Sequence, residues 1–304
     1  MQEVLSLVSQ RLGFTAARLE QPGVGVIVTA KDLLAVPEQT VLSVHEDKPP
    51  TIDRPSTIEL HRFRRQQNAR ASSPYDQETA ELLQAVNTAT LCPAPNVQAW
   101  NCSRCANTTY FKRFFRFTPH EIQIVEAGEN TDGRAALMAL VAPDHERRWI
   151  VAAIRGTVDD ILEDWLDDLE LWQEPFDRRE DSAFADAKVH AGFLKSWRQL
   201  HGNGLLSAVE AAQRVWPGYQ LVITGHSLGG SLAALMAAFV ASSKPEQEPP
   251  LVYTFGSPRV GDPKFAEVYQ MLLPDAKRVV HNRDIIPHYP FRVSYWRGPL
   301  RLFS

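Results

Sequence analysis

The chain has 304 residues, of which 44% are hydrophobic and 22% are charged, so it can bury a sizeable core and is not a disordered polymer. Its 32 Lys and Arg against 36 Asp and Glu give a net charge of −4, which excludes a basic nucleic-acid-binding surface over the whole chain. The longest apolar run, residues 232–241, is well short of the roughly 20 residues that span a bilayer. We therefore expect no transmembrane segment and no nucleic-acid partner.

Residues 1–74 differ in character from the rest of the chain. One strand is predicted over residues 23–29, and the prolines that follow interrupt any longer element. A basic, polar run at 62–70 leads into a Ser-Ser-Pro linker at 72–74. We interpret residues 1–74 as a poorly ordered N-terminal extension or pro-segment, with a small ordered subdomain as the alternative.

From residue 75 onward the pattern alternates between strands and helices. Helices are predicted over 75–90, over most of 190–215 and over 228–242; strands are predicted over 122–125, 135–141, 149–154, 221–224, 251–255 and 279–280. This alternation is typical of a mostly parallel sheet with helices on both faces. The sequence therefore predicts one α/β domain over residues 75–304.

The three cysteines are too few for a disulfide scaffold. Cys102 and Cys105 have metal or redox spacing, but no second Cys or His pair follows at the spacing of a zinc site. A local disulfide between them, with Cys92 left over, fits better, and no metal is expected. A disulfide favours a secreted protein, although the N-terminus lacks the apolar stretch and cleavage site of a signal peptide.

A G-x-S-x-G motif, residues 225–229, lies between the predicted buried strand and an Ala-rich helix. In this context the motif forms a sharp turn that raises the serine hydroxyl above the sheet edge, and the helix amides stabilise developing negative charge. Ser227 is therefore the predicted nucleophile, and Leu228 offers the amide of an oxyanion hole. A tight turn without chemistry is the alternative.

Five further segments accompany this motif in a consistent order, at residues 100–105, 154–157, 188–193, 253–262 and 283–288. With them the chain resembles the class 3 lipases, the filamentous-fungal lipase family that also contains feruloyl esterases. The resemblance implies an α/β-hydrolase fold with a short helical lid. It also implies a second oxyanion donor at Thr157, for which a simple helix N-cap is the alternative.

Residues 159–172 have an apolar face and an acidic face at helical spacing. The resemblance implies a lid here that carries Ile161, Leu162 and Trp165 and opens at a lipid–water interface. An ordinary surface helix is the alternative, and the acidic face argues against anionic bilayers as the target.

Asp284 follows the predicted strand at 279–280, at the sheet edge where α/β proteins assemble their sites. In this fold class the acid follows the nucleophile in the sequence, and the resemblance places the catalytic Asp here. Asp262 and Asp275 compete on spacing alone, and the resemblance gives Asp262 a structural role.

No general-base histidine is identifiable from the sequence. His288 and His281 are weak candidates, and the resemblance assigns His288 only a place beside the acid. The resemblance puts the catalytic His several dozen residues further on. It also implies a cysteine close to the C-terminus that would form a disulfide with one near the position of Cys92, and no cysteine follows Cys105 in this sequence. We therefore expect a domain that is truncated at its C-terminus.

These patterns predict a serine carboxylester hydrolase, and the resemblance implies that it acts on acylglycerols in lipid catabolism, without a cofactor. Its substrate would be a lipid or other acyl ester. The alternatives are a catalytically impaired lipase-like protein that binds lipid, because its base is absent, and a feruloyl esterase-type activity.

Overall fold

The computed structural model of the chain describes residues 75–105, 114–129, 135–156, 172–177, 182–245, 247–281, 284 and 286–289, together with two short strands nearer the N-terminus. The chain divides into two units, one of residues 1–71 and 290–304 and the other of residues 72–289. In the first unit, β1 (Leu19–Gln21) pairs antiparallel with β2 (Val26–Val28). The strand predicted over 23–29 therefore corresponds to β2 and has a partner before it.

The second unit alternates strands and helices as predicted. Its strands are β3 (Gln123–Glu129), β4 (Ala135–Asp144), β5 (Trp149–Ile154), β6 (Gln173–Pro175), β7 (Lys188–His190), β8 (Gln220–His226), β9 (Leu251–Phe255) and β10 (Lys277–Val279). Its helices are α1 (Gln77–Ala89), α2 (Ala94–Gln98), α3 (Ala191–Gly202), α4 (Leu205–Val215), α5 (Leu228–Ser243) and α6 (Pro263–Leu272). Short 3-10 turns lie at Pro119–Glu121 and Ile286–His288.

Six strands form the central sheet in the order β10, β9, β8, β5, β4, β3. The four strands β5, β8, β9 and β10 run parallel, whereas β3 and β4 pair antiparallel at one side. This arrangement confirms the mostly parallel sheet. It also means that β5, β8, β9 and β10 end at the same edge.

The region predicted as mainly helical over 190–215 contains two helices. α3 ends and α4 begins at Asn203 and Gly204, where Gly204 takes a φ of 95° that other residues rarely adopt. The Asn203 side chain donates a hydrogen bond to the carbonyl of Glu126 and so ties this break to β3. The apolar periodicity continues through the break, which is why the pattern alone does not locate it.

Helices cover both faces of the sheet. α1 and the segment that carries the three cysteines pack with alternate residues of β4 and β5, including Met138, Leu140 and Val151. α5 contacts β8, β9 and β5, and its residues are buried around most of its circumference. Among the described helices, none has the length and apolarity needed to cross a membrane.

The predicted local disulfide is confirmed. Cys102 and Cys105 are bonded, with their Cα atoms 5.1 Å apart, and Cys92 is a free cysteine. All three side chains are buried in the same apolar cluster as α1. The pair therefore closes a short loop inside the core.

A buried polar pair lies beneath the end of β8. The side-chain amide of Asn87 on α1 donates a 2.9 Å hydrogen bond to the Thr224 hydroxyl, and both residues are almost fully buried. Thr224→Val leaves this amide unpaired, so we expect it to lower the free energy of unfolding by about 1–3 kcal/mol. Chemical denaturation measures the change.

The double variant Asn87→Leu with Thr224→Val removes both polar groups and should recover part of that loss. The control is Thr88→Val, because the Thr88 hydroxyl bonds the Gln84 carbonyl within the same helix and is only half-buried. Equal losses in Thr224→Val and Thr88→Val would contradict a special role for the buried pair.

Candidate active site

The ends of the parallel strands bring the predicted site residues to one edge of the sheet. Ser227 directly follows β8, and Gly256 directly follows β9. Asp284 lies in the loop after β10. Because these strands are neighbours in the sheet, the loops after them adjoin one another.

Ser227 occupies a strained turn between β8 and α5. Its φ of 54° and ψ of −124° lie in a region that non-glycine residues rarely adopt. Its amide donates a 2.9 Å hydrogen bond to the carbonyl of Phe255, and its own carbonyl accepts one of 2.9 Å from the amide of Gly230. These bonds hold the turn from the adjacent strand and from the first turn of the helix.

The flanking glycines are required by close packing of the backbone. A Cβ atom on Gly225 would overlap the carbonyl of Gly229, and one on Gly229 would overlap the carbonyl of Ile154 at the end of β5. The turn is therefore pressed against β5 with no room for side chains at either position.

The Ser227 hydroxyl is buried and unpaired. The residue is only 5% exposed, and Oγ has no hydrogen-bond partner among the residues that the structure describes. An unpaired buried hydroxyl is unfavourable in a structural role, and such groups are often functional. In the same described part of the chain, no carbonyl accepts a bond from the Leu228 amide at the start of α5. A hydroxyl and a free amide thus lie side by side at the positive end of a 16-residue helix.

Asp284 lies next to this turn, across the end of β9. Its Oδ2 is 2.9 Å, and the Nε2 of His226 is 3.4 Å, from the position that a Cβ atom on Gly256 would occupy. Gly256 has a φ of 55°, and the absence of a side chain there leaves space for the carboxylate. Asp284 is fixed by its own loop, since its amide donates to the His281 carbonyl and its Oδ1 accepts from the Ile286 amide.

The two competing carboxylates have other partners. The Asp262 side chain accepts a 2.7 Å hydrogen bond from the Phe265 amide and caps α6. Asp275 lies 3.8 Å from the Lys277 ammonium group. Of the three carboxylates considered from the sequence, Asp284 is the one placed beside the serine turn.

The two candidate bases lie on either side of Asp284. His281 is exposed and contributes its carbonyl to the Asp284 amide, whereas His288 ends the 3-10 turn after Asp284. Since Ser227 Oγ has no partner within the described residues, neither histidine bonds it in this structure. Catalytic hydrogen bonds are often long before substrate binds, so this geometry does not by itself remove either candidate.

Burial lowers the pKa of His288 below its ordinary value, and the guanidinium groups of Arg259 and Arg278 lower it further. The Asp284 carboxylate opposes both effects. The lowered pKa favours the neutral imidazole at pH 7, which is the form that a base needs before it takes a proton.

This shift makes stability depend on pH. Below about pH 6.5 the unfolded state binds more protons at His288 than the folded state, so the free energy of unfolding falls as the pH drops through the lowered folded pKa. His288→Gln should flatten the slope of stability between pH 7.5 and 5. Urea denaturation at several pH values measures this slope, and an unchanged slope in the variant would contradict the assignment.

The remaining predicted site residues lie outside the described part of the chain. These are the second oxyanion donor and the apolar lid residues, namely Thr157, Ile161, Leu162 and Trp165. Trp172, which precedes β6, is described and is 59% exposed. The sequence did not single out Arg278, whose side chain contacts the Asp284 loop, because a strand arginine carries no distinguishing pattern.

Residues 151–294, which include the serine turn and Asp284, match the family model described as lipase (class 3). This segment of the chain is similar to the class 3 lipases. The resemblance noted in the sequence is thereby confirmed for a segment that contains the serine turn after β8 and the loop with Asp284 after β10.

Individual class 3 relatives show the same likeness. A secreted mono- and diacylglycerol lipase of Fusarium solani is 32% identical over 166 residues, which are 55% of this chain and 46% of that protein. A lipase of Rhizopus niveus is 41% identical over 106 residues, 34% of this chain and 27% of that protein. The chain thus spans less than half the length of these curated relatives.

Solved structures agree on the fold. The structure of a Rhizomucor miehei lipase propeptide complex is similar with a TM-score of 0.54 and 26% identity, over 74% of this chain and 68% of that one. The α/β-hydrolase fold is confirmed by this likeness together with the mostly parallel sheet.

Proposed function

We propose that this chain is a serine carboxylester hydrolase that acts on acylglycerols, with Ser227 as its nucleophile. The observation that carries the proposal is the buried, unpaired Ser227 hydroxyl, held in a strained turn beside the free Leu228 amide. The name of the Fusarium relative, a mono- and diacylglycerol lipase, supports the choice of acylglycerol as substrate class.

In the proposed reaction, Ser227 Oγ attacks the acyl carbonyl carbon while a base takes the hydroxyl proton. The carbonyl oxygen becomes an oxyanion, which the Leu228 amide stabilises, with Thr157 as the proposed second donor. The base returns the proton to the departing alcohol, and water then releases the fatty acid from the acyl-enzyme by the same steps in reverse order. Asp284 orients the base and stabilises its protonated form.

The test compares the purified chain with Ser227→Ala in the hydrolysis of a short-chain nitrophenyl ester and of emulsified triacylglycerol. Loss of the nucleophile should lower kcat by about 10⁶-fold. A fluorophosphonate probe should label the chain at Ser227 and leave the variant unlabelled. Ser242→Ala is the matched control, because its hydroxyl lies on the same helix and bonds the Phe239 carbonyl, so its activity should be unchanged.

A second candidate function is that of a lipid-binding protein with a lipase fold. The observation that favours it is the lack of any described histidine bonded to Ser227 Oγ. In that case the chain would bind the emulsion, yet turnover would be equal in the chain and in Ser227→Ala. Hydrolysis of a feruloyl ester in preference to acylglycerols would instead point to a feruloyl esterase-type activity.

We also propose that residues 1–74 form an N-terminal extension or pro-segment and that residues 75–304 form the lipase-like domain. The division of the chain near residue 72 supports the boundary between them, although the same division groups residues 290–304 with residues 1–71. The solved Rhizomucor relative is itself described as a complex with a propeptide.

A further inference from the structure

We infer that Arg278 is a positioning residue that holds the Asp284 loop in register with the nucleophile turn. The inference rests on the proposed function for its catalytic consequence. The link that the Arg278 side chain makes between two loops at the sheet edge is seen directly in its hydrogen bonds.

One nitrogen atom of Arg278 bridges the two loops. Arg278 is the middle residue of β10, and its Nη2 donates to the carbonyl of Ser257 at 2.7 Å and to that of Pro287 at 2.6 Å. Ser257 lies just after β9, and Pro287 lies three residues after Asp284. The guanidinium group therefore links the loop after β9 to the loop that carries the acid.

Ser257 in turn is packed against the nucleophile helix. Its Oγ lies 3.4 Å from the Oγ of Ser231, and both residues are buried. The Ser231 amide points to the Ser227 carbonyl at 3.3 Å. The contacts from Ser227 through Ser231 and Ser257 to Arg278 form a continuous path between nucleophile and acid.

A backbone hydrogen bond fixes the Asp284 loop at its other end, at Tyr289. The Arg259 amide donates to the Tyr289 carbonyl at 2.8 Å, so the loop after β9 holds the Asp284 loop at two points. Between Asp284 and these points, the Ile286 amide donates to Asp284 Oδ1 and the Tyr289 amide donates to the Ile286 carbonyl. Loss of Arg278 would leave the Tyr289 contact and release the end nearer the acid.

Charge acts in the same direction as the hydrogen bonds. Desolvation lowers the pKa of Arg278, and the nearby Asp284 carboxylate raises it, so the two groups attract each other. An arginine guanidinium remains protonated throughout the working pH range, and its planar donors suit two carbonyls at fixed directions. A lysine would keep the charge but would lose the planar arrangement.

The kinetic test uses Arg278→Met in the full chain, with Arg278→Lys as the conservative variant. We expect Arg278→Met to lower kcat for a short-chain ester by about 10²-fold, as a small displacement of a catalytic group does, with KM unchanged. Arg278→Lys should recover part of the loss. Arg198→Met is the matched control, because Arg198 is exposed on α3 and pairs with Glu174 at 3.4 Å.

A double variant separates positioning from general damage. In the Asp284→Asn background, Arg278→Met should leave kcat unchanged, because the carboxylate through which it acts has already been lost. A wild-type kcat in Arg278→Met, or a full multiplicative loss in the double variant, would overturn the inference.

Hydrogen exchange separates this inference from the proposed function. Amide exchange in residues 281–289 should be faster in Arg278→Met and unchanged in Arg198→Met. If the wild-type chain hydrolyses esters no faster than Ser227→Ala, the proposed function is overturned. If amide exchange is then also unchanged in Arg278→Met, the positioning role is overturned as well. If the chain is inactive but amide exchange is faster in Arg278→Met, only the role of Arg278 in holding the loop is supported. If the chain is active but Arg278→Met changes neither amide exchange nor kcat, only the positioning role is overturned.

Discussion

Asp284→Asn should lower kcat for ester hydrolysis by about 10⁴-fold while the chain remains folded, because an amide cannot stabilise the protonated base or fix its tautomer. The structure places the carboxylate across the end of β9 from the serine turn, with Oδ1 bonded to the Ile286 amide. An asparagine oxygen can keep that bond, so the loss should fall on chemistry rather than on stability. Steady-state kinetics and thermal denaturation measure the two effects separately.

Asp275→Asn is the matched control. Asp275 lies just before β10, the strand that Asp284 follows, but its partner is the Lys277 ammonium group at 3.8 Å. Its activity should equal that of the unmodified chain. Similar losses in the two variants, or none in either, would contradict the proposed role of Asp284.

Gly229→Ala should prevent folding or lower the free energy of unfolding by more than about 4 kcal/mol, an exceptional effect for one methyl group. The added Cβ would overlap the carbonyl of Ile154, which cannot move because β5 is buried in the middle of the sheet. Soluble yield, circular dichroism and urea denaturation measure the effect.

Gly202→Ala provides the contrast within the same chain. A Cβ atom at Gly202, the last residue of α3, would meet no atom within 4 Å. The substitution should be neutral or stabilise the protein by about 0.4–1 kcal/mol, because it restricts the unfolded chain. Equal free energies of unfolding for Gly229→Ala and Gly202→Ala would contradict the close packing of the turn against β5.

The sequence predicted the serine turn because its local context is unusually informative. Gly225 and Gly229 flank Ser227 between a buried strand and an apolar helix, and each of these signals is local. β5 and β9 were predicted with the bounds that the structure has. Each is a short, mostly apolar run with clear limits, namely arginines on both sides of β5 and a proline and a glycine around β9.

Features that depend on distant residues could not be predicted in the same way. The bridge from Arg278 to Ser257 and Pro287 depends on the pairing of β9 with β10, which no spacing in the sequence reveals. Asp262 and Asp275 could not be separated from Asp284 by spacing, because a helix cap and a catalytic acid use the same side chain at similar distances from strands. Their partners in the structure separate them, because Asp262 caps a helix, Asp275 pairs with a lysine and Asp284 lies beside the serine turn.

The bond from the Ser227 amide to the Phe255 carbonyl makes the turn of the proposed nucleophile depend on β9, a strand that comes later in the chain. If Ser227 is the nucleophile, as proposed, we expect the reactive turn to form only in molecules where β9 has docked beside β8, and the serine to be unreactive before that. The fraction of chains that a fluorophosphonate labels at Ser227 would then count the molecules that have completed the sheet. A single reactive side chain would report on the assembly of the whole α/β domain during refolding.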